Sequence, residues 1–269
     1  MSMPERVRVR RDHPSALSWA IALVLTMLCV YLIALGQVER APEASIASDD
    51  GSPRVTKELS FEPLAVYSVC FGEFPTAEEA RIEAARYVQR GAAGYVHEEG
   101  GVFRMLAAGY PVEADAKRVA ENLSQSEDLT CTVFPRSASR VRLRITATEK
   151  QIETLTASEA ELRRYAAELA EIALQLDRSE IDPDAARTLI AVTASRLDEM
   201  LRNLRAIPGA SENAVCSGLF SLTEQLRASL FVLSSENSRT ALSLSGKIKY
   251  NTMEATFRHI DYLTALNGL

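Results

Sequence analysis

The sequence predicts a single N-terminal transmembrane helix, then an α+β domain of order βαββαβ, then an all-α antiparallel helical bundle. Three observations carry this. The run "ALSWAIALVLTMLCVYLIALG", Ala16 to Gly36, holds no charged residue over 21 positions. The pattern "LAVYSVCFGEFPTAEEA", Leu64 to Ala80, returns 36 residues later as "GVFRMLAAGYPVEADAK", Gly101 to Lys117. Leu155, Leu162, Leu169 and Leu176 recur every seven residues, the spacing of a buried helical seam.

The apolar run spans a hydrocarbon core of about 30 Å at the helical rise of about 1.5 Å per residue. Residues 1–15 carry Arg6, Arg8, Arg10 and Arg11 against Glu5 and Asp12. The positive-inside rule therefore puts the N-terminus in the cytoplasm and the rest of the chain outside. A cleaved signal peptide, with Ala34-Leu35-Gly36 as its site, is the competing reading. The run is longer than the usual apolar core of about 7–15 residues, which favours a retained anchor. Residues 37–60 are rich in Ser, Ala, Pro and charge and are expected to be a flexible linker.

Bulk composition excludes several classes. A net charge of −6 argues against a generic nucleic-acid binder, which carries a basic patch or stripe. Three His and four Cys, without CxxC or HExxH spacing, offer no metal site, and no motif calls for a cofactor. The cysteines do not form a disulfide framework; a Cys70–Cys131 bridge is open only in an oxidising compartment.

Within 61–137 each copy of the repeat reads as a strand, an aromatic-Pro stop, a helix and a second strand. Pro75 and Pro111 suit the stop because proline lacks the N–H that a continuing ladder needs. The helices are expected over Thr76–Gln89 and Val112–Gln125, and Thr76 with Glu79 forms a capping box. Gly91 and Gly94 end the first helix. Two such units give a four-stranded antiparallel sheet with both helices on one face. Alternation turns Tyr67, Val69, Phe71, Phe103 and Met105 toward the helices. Ser68, Cys70, Arg104 and Leu106 then point to the opposite, open face, with His97 or Val96 joining from the second strand. An open sheet face is a platform that suits an extended polymer.

"YSVCFGEF", "TAEEARIEAARYVQRGAAGYV", "VFRMLAAGYPVEADAKRVAENL" and "LTCTVF" resemble a SPOR (sporulation-related repeat) domain. The resemblance implies the split βαβ pair just described. It also implies binding of septal peptidoglycan glycan strands stripped of stem peptides, on the open sheet face. The family's first strand reads aromatic-x-Val-Gln-x-Gly-x-Phe. This chain keeps Tyr67, Val69, Gly72 and Phe74, with Cys70 where the family usually has Gln. The glycan-binding set so implied is Ser68, Cys70, Glu73, His97, Arg104 and Leu106. Residues 61–137 hold 7 Arg or Lys against 12 Asp or Glu, so any glycan binding rests on hydrogen bonds and stacking rather than on charge steering.

Residues 138–269 read as the helical bundle domain. "SRVRLRITA" is either an added edge strand or the first turns of the next helix; if extended, Arg140, Arg142 and Arg144 share a face. Asp182 and Pro183 cap and open a second helix over about 183–206, and "IPGAS" ends it. Val215, Leu219, Leu222, Leu226, Leu230 and Leu233 mark a third. Leu244, Ile248, Met253, Phe257, Ile260 and Leu263 mark the last, with "SSENS" as a possible break between them. This is three long or four ordinary helices. Glu149, Glu159 and Glu168 read as a solvated face, and His259 with Asp261 does not converge. Nothing here offers a nucleophile with its base.

The expectation is a non-enzymatic, single-pass protein of the bacterial cell membrane. Its outer half binds peptidoglycan at the division or sporulation septum, and its bundle contacts a protein partner. The alternative is a structural envelope assembly protein whose sheet no longer binds glycan.

Overall fold

A computed structural model describes residues 43–45 and 51–268, except 128 and 236–239. The expected anchor, 16–36, lies outside the described residues. No helix among the described residues is long and apolar enough to cross a membrane. In chain order the elements are β1 Glu43–Ser45, β2 Val55–Phe61, β3 Leu64–Phe74, α1 Ala77–Val88, β4 Tyr95–Glu99 and β5 Val102–Tyr110. Then come α2 Glu113–Glu127, β6 Thr132–Ala138, β7 Val141–Ala147, α3 Glu149–Asp177, α4 Pro183–Arg205, α5 Ala214–Ser235 and α6 Ala241–Leu266.

The duplicated unit folds as its repeat predicts. Strands β3 to β6 form an antiparallel sheet in the order β4-β5-β3-β6. The Thr76 hydroxyl accepts from the Glu79 amide at 3.2 Å and caps α1. Gly91 and Gly94 both take positive φ, +87° and +61°, a conformation that glycine adopts without Cβ strain. On the helix side Val69 packs with Ala116 and Ala120, joined by Tyr67, Phe71, Val119 and Leu123.

The region expected to be linker contains a strand. Strand β2 pairs antiparallel with β7, and β1 adds in parallel to the far edge of β7. "SRVRLRITA" is thus a strand, and its alternation works as a strand's should. Val141, Leu143, Ile145 and Ala147 turn inward while Arg142 and Arg144 stay exposed. The β2–β7 ribbon prolongs the β3–β6 pair without slip: Phe61 faces Val141, and Leu64 faces Ala138. Between them the ladder breaks at Glu62-Pro63 opposite Ser139-Arg140. Sequence reading missed β2 because only Leu59 and Phe61 of its seven residues are buried.

Four helices follow in an up-down bundle, α3 beside α4 and α6, and α5 beside α4 and α6. Thr148 and Gln151 form a capping box on α3. The Asp182 carboxylate caps α4 by accepting from the Ala185 amide at 2.8 Å, with Pro183 in the first turn. Asn213 accepts from the amides of Val215 and Cys216 at the head of α5. The heptad leucines of α3 are buried, as are Tyr165 and Ile172. Ile190, Leu197 and Leu204 of α4 and the apolar sets of α5 and α6 are buried with them. Each such side chain contributes about 1.5–3 kcal/mol on leaving water. The bundle core continues into the ribbon through Leu59, Phe61, Leu143 and Ile145.

The second face of the four-stranded sheet is not open. Helix α6 lies across it. Tyr95 meets Tyr250 and Phe257 at ring-centroid distances of 5.2 and 5.3 Å, and His97 meets Phe257 at 4.9 Å. Val66, Cys70 and Leu106 belong to the same buried cluster as Met253 and Phe257. A Cβ added to Gly246 of α6 would stand 2.8 Å from the Ala92 carbonyl oxygen, so glycine is what allows so close an approach. The reason lies in α6 itself: its apolar residues serve the bundle core on one side and the sheet on the other, and both must leave water.

Candidate functional site

The six residues expected to bind glycan divide into a covered group and a rim. Ser68 and Leu106 are 0% exposed and Cys70 2%, so these three face helix α6 rather than solvent. This corrects the expectation of an open platform. The Cys70 thiol donates to the Gly72 carbonyl at 3.3 Å. Burial pushes that thiol up, against the lowering effect of Gly72 and Thr132. The Ser68 hydroxyl is buried with no hydrogen-bond partner. Cys70, Cys131 and Cys216 are free thiols. The Cys70–Cys131 pairing is absent because Cys70 lies on the bundle side of the sheet and Cys131 on the helix side.

Glu73, His97 and Arg104 form the rim, where β3, β4 and β5 run past the edge of α6. Cross-strand register brings Glu73 and His97 each opposite Arg104. Arg104 donates from Nε to the Glu73 carboxylate at 2.8 Å and from Nη1 to Glu99 at 3.3 Å. Its guanidinium lies 4.8 Å from the Phe134 ring centroid. The rim is therefore charge-compensated, with one aromatic face beneath a cation.

Two side chains that sequence reading left out complete the arrangement. Arg136 donates from Nη1 to His97 Nε2 at 2.7 Å, which assigns the His97 proton to Nδ1. Arg136 also pairs with Asp261 of α6 and lies 5.0 Å from the Phe257 ring centroid. Burial, then the Arg136 charge, lowers the pKa of His97 below its ordinary value. Phe134 and Arg136 are two apart on β6, so period-2 reading of that strand would have put both on the face with Ser68.

A second polar group was also misassigned. Glu159 is not on a solvated face; it is buried between α3 and α6. Its Oε1 lies 2.6 Å from Arg163 Nε and 3.4 Å from Nε2 of the buried His259. Burial pushes the Glu159 carboxyl up, but His259 and Arg163 together outweigh it and hold the carboxyl below the usual range. Arg163 then donates to the backbone carbonyls of Glu62 and Pro63. A pattern of charges four apart on α3 is an ordinary surface signature, so one helix's sequence could not have marked this burial.

Among the described residues no His, Cys, Asp and Glu group is arranged to hold a metal ion. The arrangement is a four-stranded sheet face closed by the chain's own helix α6, with a charge-compensated polar rim. No family model, no curated protein and no solved structure matches this chain.

Proposed function

We propose that this protein is a non-enzymatic bacterial envelope factor, tethered to the membrane by residues 16–36. Its SPOR-like module engages septal peptidoglycan glycan strands, in division or sporulation, when its own helical bundle is off the sheet. The observation that carries this reading is the covered face: Ser68, Cys70 and Leu106 lie beneath α6, and the Ser68 hydroxyl is buried without a partner. An unpartnered buried hydroxyl costs about 1–3 kcal/mol, and a polar ligand or water on an uncovered sheet would relieve it. The bundle, in contact with other envelope proteins, is the element that would lift away.

A second reading is favoured by Cys70. A thiol is a poor partner for sugar hydroxyls, and in the buried cluster with Met253 and Phe257 it acts as a small apolar group. On this reading the face is permanently the seat of the bundle, and the protein is a structural assembly factor. Binding of the purified chain to intact and amidase-stripped sacculi separates the two. Enrichment on stripped sacculi that rises when Asp261→Arg loosens the bundle supports the first reading. No enrichment of either protein sinks it and leaves the second.

A further inference from the structure

We infer that the sheet face is a cryptic interface, opened by a swing of the bundle about the two breaks at Glu62-Pro63 and Ser139-Arg140. The proposal rests on the reading above for what the face then binds, but the motion does not depend on it.

The topology permits the motion. The module, residues 64–138, is one continuous stretch between those breaks, which lie side by side because the β2–β7 and β3–β6 pairs keep one register. The ribbon belongs to the bundle: Leu59, Phe61, Leu143 and Ile145 sit in its core, and β7 leads into α3 across Thr148. The module and the bundle pack as one compact unit, joined covalently only through these two strands, so rotating one against the other threads no loop. At the hinge the ladder is absent, and its carbonyls are satisfied by side chains of the bundle. Arg163 donates to the Glu62 and Pro63 carbonyls, and Asn267 donates to the Ser139 carbonyl at 3.4 Å and to its hydroxyl at 3.1 Å. Arg140 pairs with Glu62 across the break at 2.6 Å. Such bonds are exchangeable for water, unlike a buried strand pairing.

The closing contacts have the make-up of a reversible interface. An aromatic centre, Phe257 against Tyr95 and His97, is flanked by polar latches. These are Arg136 with Asp261 on one side, and on the other Lys249, which donates to the Gly91 carbonyl at 2.8 Å and pairs with Asp177 at 2.7 Å. Asp261 is exposed, so its latch is weak by itself. The closed state leaves the Ser68 hydroxyl unpartnered, a defect that opening removes. Closed and open states differ by the burial of Val66, Cys70 and Leu106 against Met253 and Phe257 together with these latches, so the closed state predominates and the open one is the minor member of a two-state element.

Two buried thiols report on this motion without any ligand. Cys70 lies in the sheet–bundle interface and Cys216 in the bundle core. In the full chain, purified in mild detergent and carrying Cys29→Ser and Cys131→Ser, maleimide labelling of each is followed by mass spectrometry. Cys70 is expected to react at least about tenfold faster than Cys216, because hinge opening needs less than unfolding of the bundle. Gly246→Ala is the sharper arm. The new methyl meets the Ala92 carbonyl and wedges the sheet away, while alanine favours helix α6 itself. It is expected to speed Cys70 labelling about tenfold and to leave Cys216 unchanged or slower. Asp261→Arg, on an exposed position, should speed Cys70 several-fold in the same way. Labelling of both thiols at one rate overturns the proposal, and so does a Cys70 rate that neither substitution moves. Sacculus binding is not read in this experiment, so its failure is distinct from failure of the glycan reading.

Discussion

His259 Nε2 lies 3.4 Å from Glu159 Oε1 in the buried seam between α3 and α6, in contact but outside hydrogen-bond geometry. Glu159 pairs with Arg163, which joins the bundle core to the hinge carbonyls of Glu62 and Pro63. Buried charges are tolerated when paired, and removing one partner is costly. Glu159→Gln should therefore lower unfolding free energy by about 1.5–3 kcal/mol at pH 7, the worth of a hydrogen bond to a charged group, measured by urea denaturation. The pH dependence has a fixed sign. The folded carboxyl is held below its ordinary value of 4.5. Its stabilisation is therefore full above that value and is lost as pH falls through the lower, folded one. Wild-type protein should lose more stability than Glu159→Gln between pH 5 and pH 3; equal losses would rule out this role.

His97 predicts a second pH effect at a higher range. Burial and Arg136 hold its pKa below the ordinary 6.5. Between the folded value and 6.5 the unfolded chain binds the extra proton, so stability rises with pH across that window. Below it the stabilisation is gone. His97→Gln should flatten the wild-type decline between pH 7.5 and pH 5.5, and NMR titration of the imidazole should give a folded pKa under 6.5.

Cys70→Gln, which restores the residue usual in the resembled family, is expected to disturb the closed form. The longer amide must enter the space beneath Met253 and Phe257, where overpacking costs about 1–3 kcal/mol and an unpaired amide adds to it. Cys70→Ala should cost less than Cys70→Gln. The comparison is a pair of denaturation midpoints, and a Cys70→Gln protein as stable as wild type would mean that the face is already free.

Asp182→Ala tests a local device. Loss of the cap on α4 should cost about 1 kcal/mol. For a chain of this size that lowers Tm by about 2–4 °C, with the helical circular-dichroism signal below the transition unchanged.

Much of this architecture was legible in order along the chain. The repeat at an offset of 36 gave the βαββαβ unit, because a strand-stop-helix pattern that recurs must bury the same faces twice. The seven-residue spacing of Leu155 to Leu176 gave a bundle helix, and Asp182-Pro183 gave its successor's first turn. These are local signals, set by pleat, helical pitch and capping. Strand β2 escaped because its inward face offers only Leu59 and Phe61, and because its partner β7 lies about 85 residues away.

Tertiary structure alone decided what covers the sheet. Ser68, Cys70, Arg104 and Leu106 share a face by alternation, and the sequence determines that much. Whether the face meets solvent depends on α6, whose Gly246, Tyr250, Met253 and Phe257 make a second inward surface beside the bundle seam. Two amphipathic elements far apart in sequence each carry an apolar face, but neither names the other as its partner. The hydrophobic effect is non-directional, so it demands that both faces leave water and leaves the pairing to shape. Here the bare backbone of Gly246 against Ala92 and the Phe257 ring between Tyr95 and His97 supply that shape.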